Sequence, residues 1–288
     1  MPAPIISLTT DFGSVSGYAG TVKGVLLGIN PASTIVDISH DVPAQDISHG
    51  AFVLGSAYRY FDDSTIHLAV VDPGVGSSRR AILLVTPEGR FLAPDNGLLT
   101  YVVMGQASES PVVSSVGFME SALVAVPEGC AAYAITRPEY WRHPISRTFH
   151  ARDIFAPVAA HLSLGVAPHT VGEQVDTITV LNAWSEPDDD AVLRGRVIFI
   201  DGFGNLITNL RSDRIPSDTV SVEICGETLT GIAGTFAEAD GLMALHGSHG
   251  YLEVAERNGS ASRRLHARVG DSVKLLPANP LGHSADQQ

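Results

Sequence analysis

Cysteine is scarce: Cys130 and Cys225 are the only two in 288 residues, and neither belongs to a C-x-x-C pair. Two isolated thiols exclude a disulfide scaffold and a Cys-built zinc site, and they suit a reducing compartment. Basic residues are also few. Eighteen Lys plus Arg stand against 31 Asp plus Glu, a formal net charge of −13. Such an acidic surface repels phosphate backbones and anionic lipid heads, so neither nucleic acid nor a membrane surface is an expected partner. No apolar run approaches the ~20 residues that cross a bilayer. The opening MPAPIISLTT lacks the basic n-region of a secretory signal. The expectation is a soluble, cytoplasmic protein.

Familiar catalytic signatures are missing too. There is no G-x-x-x-x-G-K-[ST] phosphate loop, no G-x-S-x-G nucleophile elbow and no H-E-x-x-H pair. Gly74-Val75-Gly76-Ser77-Ser78-Arg79 opens like a dinucleotide fingerprint, but Arg79 replaces the glycine that permits close helix–strand contact. His40, Asp41, Asp46 and His49 match no standard metal spacing and read as a solvated helix start. What the chain does have is apolar material. Hydrophobic residues make up 44% and charged residues 17%, with a mean hydropathy of +0.16. That excludes global disorder, and the length predicts two domains.

The first two-thirds alternate strand-like and helix-like segments. Strands are predicted over 4–10, 34–38, 66–71 and 81–86, residues 90–93 lead into a turn at Pro94-Asp95-Asn96-Gly97, and helices are predicted over 17–27, 47–60 and 153–164. Strands apolar throughout and separated by helices predict an α/β layer with a largely parallel sheet. Ser185-Glu186-Pro187-Asp188-Asp189-Asp190 is acidic and turn-rich, a linker signature. Beyond it, short strand candidates at 193–200, 219–224, 227–229, 250–254 and 272–276 predict a small all-β barrel or sandwich. The expected organisation is an α/β domain over 1–184, a linker over 185–191, a β domain over 192–279 and a tail over 280–288.

Four polar clusters follow predicted strands, where open α/β sheets present ligands. Thr9-Thr10-Asp11-Phe12-Gly13 offers a carboxylate for the two hydroxyls of a ribose, or an N-cap for the next helix. Asp72-Pro73-Gly74 through Arg79-Arg80 is a tight loop with Asp72 and Arg79 at its ends, either a functional pair or a turn with a surface ion pair. His150 precedes a predicted helix, where it faces a cleft as a proton acceptor or simply faces solvent. Asp201-Gly202-Phe203-Gly204-Asn205 reads equally as a binding loop or an Asx turn.

In combination these segments resemble the S-adenosyl-L-methionine (SAM) hydrolase family. These are the adenosine-forming SAM hydroxide adenosyltransferases once called DUF62, relatives of the fluorinase and chlorinase enzymes. The anchors are TTDFG at 9–13, VVDPGVGSSRR at 70–80, APDNGLL at 93–99, FHARDIFAP at 149–157, IDGFGN at 200–205 and SHGYLEVA at 248–255. The similarity runs from residue 5 to residue 276. It implies an N-terminal α/β domain and a C-terminal β-barrel-like domain. It also implies a homotrimer, with the ligand between one subunit's N-terminal domain and the neighbour's C-terminal domain. By the same resemblance Asp72, Arg79 and His150 surround the attacking water and Asp11 grips the ribose hydroxyls. Asp201, Asn205 and Ser248 hold the methionine portion. Glu253, in the last anchor, and Asn258, in the stretch corresponding to the adenine-pairing segment, complete the expected substrate contacts. No metal and no cofactor are implied, because SAM is the substrate.

The chemistry suits these residue types. A sulfonium leaves C5′ of the ribose as a neutral thioether, so no general acid is needed at sulfur. The site must orient a water for in-line attack and raise its nucleophilicity. Either Asp72 or His150 can hold the proton. The alternatives are halide transfer to C5′ and a silent SAM- or adenosine-binding protein. By resemblance the fluorinases carry an insertion before their APNNGLL segment, which residues 91–99 here lack. Their halide-contacting serine corresponds to Ala151, and a tyrosine to His150.

Overall fold

The computed structural model describes residues 3–107, 116–183, 193–215 and 220–277. The expected linker at 185–191 and tail at 280–288 lie outside the described residues. Two compact units, Met1–Asn182 and Ala183–Gln288, make up the chain.

The first unit contains β1 (Ile5–Thr10), α1 (Tyr18–Ile29), β2 (Thr34–Ser39), α2 (Ile47–Ala57), β3 (Ile66–Val70), β4 (Ala81–Thr86) and β5 (Gly89–Pro94). It continues through α3 (Thr100–Gln106), β6 (Ser121–Ala125), β7 (Ala131–Ala134), α4 (Ala156–Ser163), β8 (Gln174–Val175) and β9 (Thr177–Leu181). Seven strands form one sheet in the order β2-β1-β3-β5-β4-β7-β8. Its first three pairings are parallel and the other three antiparallel. β6 and β9 pair separately. All five positions of β3 are buried, as expected for a strand covered on both faces. Val22 and Leu26 of α1 and Val158, Ala159 and Leu162 of α4 share one core with Ile6, Leu8 and Leu68 of the sheet. Small residues along α4 let it pack closely on α1 and β3.

The second unit contains β10 (Leu193–Ile200), β11 (Leu206–Arg211), β12 (Val220–Ile224), β13 (Glu227–Thr230), β14 (Leu242–His246), β15 (Tyr251–Glu256), α5 (Ala261–Leu265) and β16 (Ser272–Pro277). The strand order is β13-β12-β16-β10-β11-β15-β14, antiparallel throughout. A bridge between Ala233 and Leu245 links the two ends, giving a nearly closed barrel. β12 alternates inward Val220, Val222 and Ile224 with half-exposed Ser221 and Glu223, the pattern of a strand wet on one side.

Some elements escaped the sequence. In β11 the polar Thr208 and Asn209 are buried beside Ile207 and Leu210, which hides the period of two. The helix expected at 153–164 begins instead as a π-helical turn at Ala151–Phe155, which runs into α4. Among the described residues no helix is long and apolar enough to cross a membrane.

Candidate functional site

Asp11 and Asp72 lie just beyond the carboxyl ends of the adjacent parallel strands β1 and β3. Asp11 is not an N-cap: α1 starts behind Gly17 with no side-chain cap. Instead Asp11 Oδ2 accepts the backbone N–H of Gln45 at 2.8 Å, which holds Gln45 at φ 68°. Behind Asp11, Thr10 Oγ1 is 2.7 Å from His40 Nδ1, and the N–H of Gly13 donates to the His40 carbonyl at 2.7 Å. The turn is therefore fixed from both sides, and one Asp11 oxygen accepts no hydrogen bond from the described residues. Asp46, by contrast, caps α2 by accepting the His49 N–H at 2.9 Å, the structural role its position suggested.

Asp72 and Arg79 form a two-point ion pair: Nε donates to Oδ1 at 2.9 Å and Nη2 donates to Oδ2. Their side chains are only 5% and 11% exposed, which removes the surface-pair reading. Arg79 Nη2 also lies 3.0 Å from His150 Nδ1. A guanidinium can only donate, so His150 Nδ1 accepts and its remaining proton sits on Nε2. The guanidinium also lies over the buried Phe155 ring, 5.5 Å from its centroid.

His150 reaches Arg79 because two segments meet closely. Gly76 has φ +79°, and a Cβ there would stand 2.4 Å from the Arg147 carbonyl oxygen. Only glycine allows that approach. From the other side Asp153, fully buried, anchors the segment carrying His150. It pairs with Arg152 Nε at 2.7 Å and Nη2 at 2.8 Å, and accepts the Ser146 N–H at 2.8 Å. Burial opposes ionisation of Asp153, but Arg152, the Ser146 N–H and Arg142 outweigh it and hold the carboxyl below its usual range. Burial, reinforced by Arg79, holds His150 below the ordinary histidine value against the pull of Asp72 and Asp153. His150 is thus neutral at physiological pH. Asn96 adds a further brace, donating to the Val71 carbonyl at 2.9 Å beside Asp72. Neither Asp153 nor Asn96 stood out in the sequence, although both lie within the quoted anchors.

In the second unit, Asp201 Oδ1 accepts the N–H groups of Phe203 and Asn205, both at 2.9 Å, and Oδ2 accepts the Asn205 side-chain amide at 3.0 Å. The Asx-turn reading is therefore realised, and it ties Asp201 to Asn205. Ser248 is exposed in the turn between β14 and β15, closed by a Gly250 N–H to Gly247 carbonyl bond of 3.0 Å. Glu253 of β15 is 6% exposed. Burial, and then Asp201, push its carboxyl above the usual value. Asn258 is exposed at φ 55° in the turn after β15. The expected residues thus fall into two groups: Asp11, Asp72, Arg79 and His150 on the first unit, and Asp201, Asn205, Ser248, Glu253 and Asn258 on the second. Among the described residues no three His, Cys, Asp or Glu side chains are grouped to hold a metal ion.

Comparison with known proteins matches residues 6–172 to the SAM hydroxide adenosyltransferase N-terminal domain and residues 195–274 to the C-terminal domain of the same family. A protein of Methanocaldococcus jannaschii named (R)-S-adenosyl-L-methionine hydrolase is 32% identical, over 94% of this chain and 95% of its own. A protein of Nocardia brasiliensis named fluorinase is more distant, at 27% identity over 94% of this chain and 96% of its own. The crystal structure of an uncharacterized conserved protein from Thermotoga maritima superposes with a TM-score of 0.79 at 34% identity, covering 94% of this chain and 99% of that one.

Proposed function

The chain belongs to the SAM hydroxide adenosyltransferase family, and from that membership we propose that it hydrolyses SAM to adenosine and L-methionine. The observation that carries this reading is the Asp72–Arg79–His150 cluster, in a chain similar over nearly its whole length to a named SAM hydrolase. That relative's name specifies the R form, and we extend the same configuration at sulfur to this chain's substrate.

The chemistry follows from the donors and acceptors. A water attacks C5′ as the C5′–S bond breaks, and the electron pair leaves with sulfur as a neutral thioether. The water must lose a proton. His150 Nδ1 is occupied by an Arg79 N–H, so His150 presents its Nε2–H as a donor. Asp72 keeps lone pairs beyond the two that Arg79 uses, and it takes the proton. Arg79 holds that carboxylate in place and favours the negative charge that develops on the attacking oxygen. Asp11, with an oxygen to spare, grips the ribose hydroxyls. Asp201, Asn205, Ser248 and Glu253 receive the methionine portion, and Asn258 lies along the adenine. No cofactor enters this scheme, because the substrate carries its own leaving group.

Assembly and location extend the same reading. A homotrimer, in which the first unit of one copy and the second unit of another complete each site, brings the two residue groups together on one ligand. Both cysteines are free, which suits a reducing cytoplasm. The direct test is incubation with SAM resolved into its sulfur epimers, followed by chromatography. Adenosine and methionine in equal amounts support the reading. Unchanged SAM or 5′-halo-adenosine contradicts it.

A further inference from the structure

The loop that carries Asp72 and Arg79 crosses over the end of β5. In the sheet β5 lies between β3 and β4, parallel to the first and antiparallel to the second. The chain leaves β3 at Val70 and enters β4 at Ala81, so residues 71–80 bridge the strand between them. The turn after β5 therefore stands between the two stems of that loop, and it holds both. On one stem Asn96 Nδ2 donates to the Val71 carbonyl at 2.9 Å, next to Asp72. On the other the Asp95 N–H donates to the Arg80 carbonyl at 3.0 Å, next to Arg79. The Asp95 carboxylate completes the grip. Its Oδ2 accepts Arg80 Nε at 2.8 Å, and its side chain is only 3% exposed. A carboxylate so far from water is sustained by its partners.

The turn is itself fixed from behind. β6 and β9 form a two-stranded ribbon outside the main sheet, and every second residue of β9 gives a backbone group to this region. The Thr177 carbonyl accepts Arg80 Nη2 at 2.9 Å, and the Thr179 N–H donates to Asp95 Oδ1 at 2.7 Å. The Leu181 N–H donates to Thr100 Oγ1 at 2.7 Å, and that hydroxyl donates to the Gly97 carbonyl at 2.6 Å. Gly97, at φ 103°, bridges Val180, and a Cβ there would stand 2.7 Å from the Leu181 side chain. Glycine alone permits that approach. None of the residues assigned above to substrate or water lies on the ribbon. Its edge nevertheless converges, through Asp95, on the loop that carries Asp72 and Arg79.

We propose that Asp95 is a positioning residue for the reaction. It ties Arg80 to the β9 edge, and so holds the neighbouring Arg79 and its partner Asp72 in the placement that His150 and the attacking water require. It touches no substrate and moves no proton. This rests on the SAM reading above and adds to it the residue through which the β6–β9 ribbon sets the catalytic loop.

The test is a double-mutant cycle on the intact oligomer, with Asp95→Asn, Asp72→Asn and the double variant, read by single-turnover conversion of SAM to adenosine. Asparagine keeps an oxygen for the Thr179 N–H and removes the charge that holds Arg80. Adenosine affinity by calorimetry reports folding and ground-state binding in each protein. Asp95→Asn is expected to slow turnover about tenfold while adenosine affinity stays within about twofold, because misplacing a reacting group by ~1 Å costs up to about 10²-fold in rate. In the Asp72→Asn background the same change is expected to cost less than about twofold, since groups that act as a unit are not additive. Arg80→Lys breaks the pair from the other side and is expected to show the same split between rate and affinity. Parental turnover in Asp95→Asn overturns the inference. So does the full loss repeated in the Asp72→Asn background, or an equal loss of turnover and adenosine affinity in both Asp95→Asn and Arg80→Lys. A parent protein that binds adenosine but forms none from SAM overturns the SAM reading, and this inference with it.

Discussion

Arg79 Nη2 lies 3.0 Å from His150 Nδ1, and because a guanidinium has no lone pair to offer, this contact fixes the histidine as an acceptor at that atom. Protonating His150 sets two cations against each other. Burial and Arg79 already hold the ring below the ordinary histidine value, so the neutral form persists below the usual ~6.5 before it is lost. Turnover is expected to fall on the acid side with an apparent pKa below ~6.5. His150→Gln should flatten that limb while lowering kcat more than tenfold, with SAM still bound. Rate–pH profiles of the two proteins check this, and an unchanged acid limb in the variant would assign it to another group.

Asp11→Ala is expected to weaken adenosine binding more than tenfold, since charge-assisted bonds to two hydroxyls are worth ~1.5–3 kcal/mol each. Asp11→Asn still offers an oxygen to the Gln45 N–H, and so separates ligand contact from turn geometry. Calorimetry that finds both variants binding adenosine like the parent would remove Asp11 from the site.

His67 makes the fold acid-sensitive. It is fully buried in β3, takes part in a 2.7 Å hydrogen bond with Ser7 and stacks on Phe91 at 4.7 Å. Burial lowers its pKa to about 4. In the unfolded chain the ring protonates near ~6.5, so between the two values the unfolded state binds more protons and stability falls as pH falls. The contribution expected from His67 to the loss between pH 7 and pH 5 is about 2 kcal/mol. His67→Phe should lose less over that range, whatever its absolute stability. Urea midpoints at the two pH values decide, and equal losses in both proteins would refute the assignment.

The proposed assembly, with each site shared between copies, has a direct consequence. Asp72→Ala and Asp201→Ala each disable one of the two residue groups, so subunit exchange between the two inactive proteins should restore part of the activity. Mixed oligomers verified by mass spectrometry but without turnover would contradict a site shared between copies.

Much of this was legible because glycine, proline and charge mark loops strongly. Val70–Arg80 and Ile200–Asn205 announced tight polar turns after apolar strands, and the structure places both there. What the sequence concealed is long-range. Asp72 and Arg79 are seven residues apart, but His150 joins them across 71 positions. That meeting depends on the contact between Gly76 and the Arg147 carbonyl, which no local pattern encodes. Asp153 read as an ordinary helix residue, because its burial is sustained by Arg152 and the Ser146 N–H within a π-helical turn. β11 was hidden because Thr208 satisfies its hydroxyl internally, on the Leu252 carbonyl at 2.9 Å, and so buries a polar residue where alternation demanded exposure.

The central claim is that solvent supplies the new oxygen at C5′, with the water deprotonated at the Asp72–Arg79–His150 cluster. A single turnover of SAM in ¹⁸O-labelled water, followed by mass spectrometry of the nucleoside, tests it most directly. The label is expected in the 5′-hydroxyl of adenosine, at a rate lowered more than tenfold in Asp72→Asn. Adenosine without label at that position, or 5′-chloro-adenosine dominating in chloride buffer, would contradict the hydrolase account.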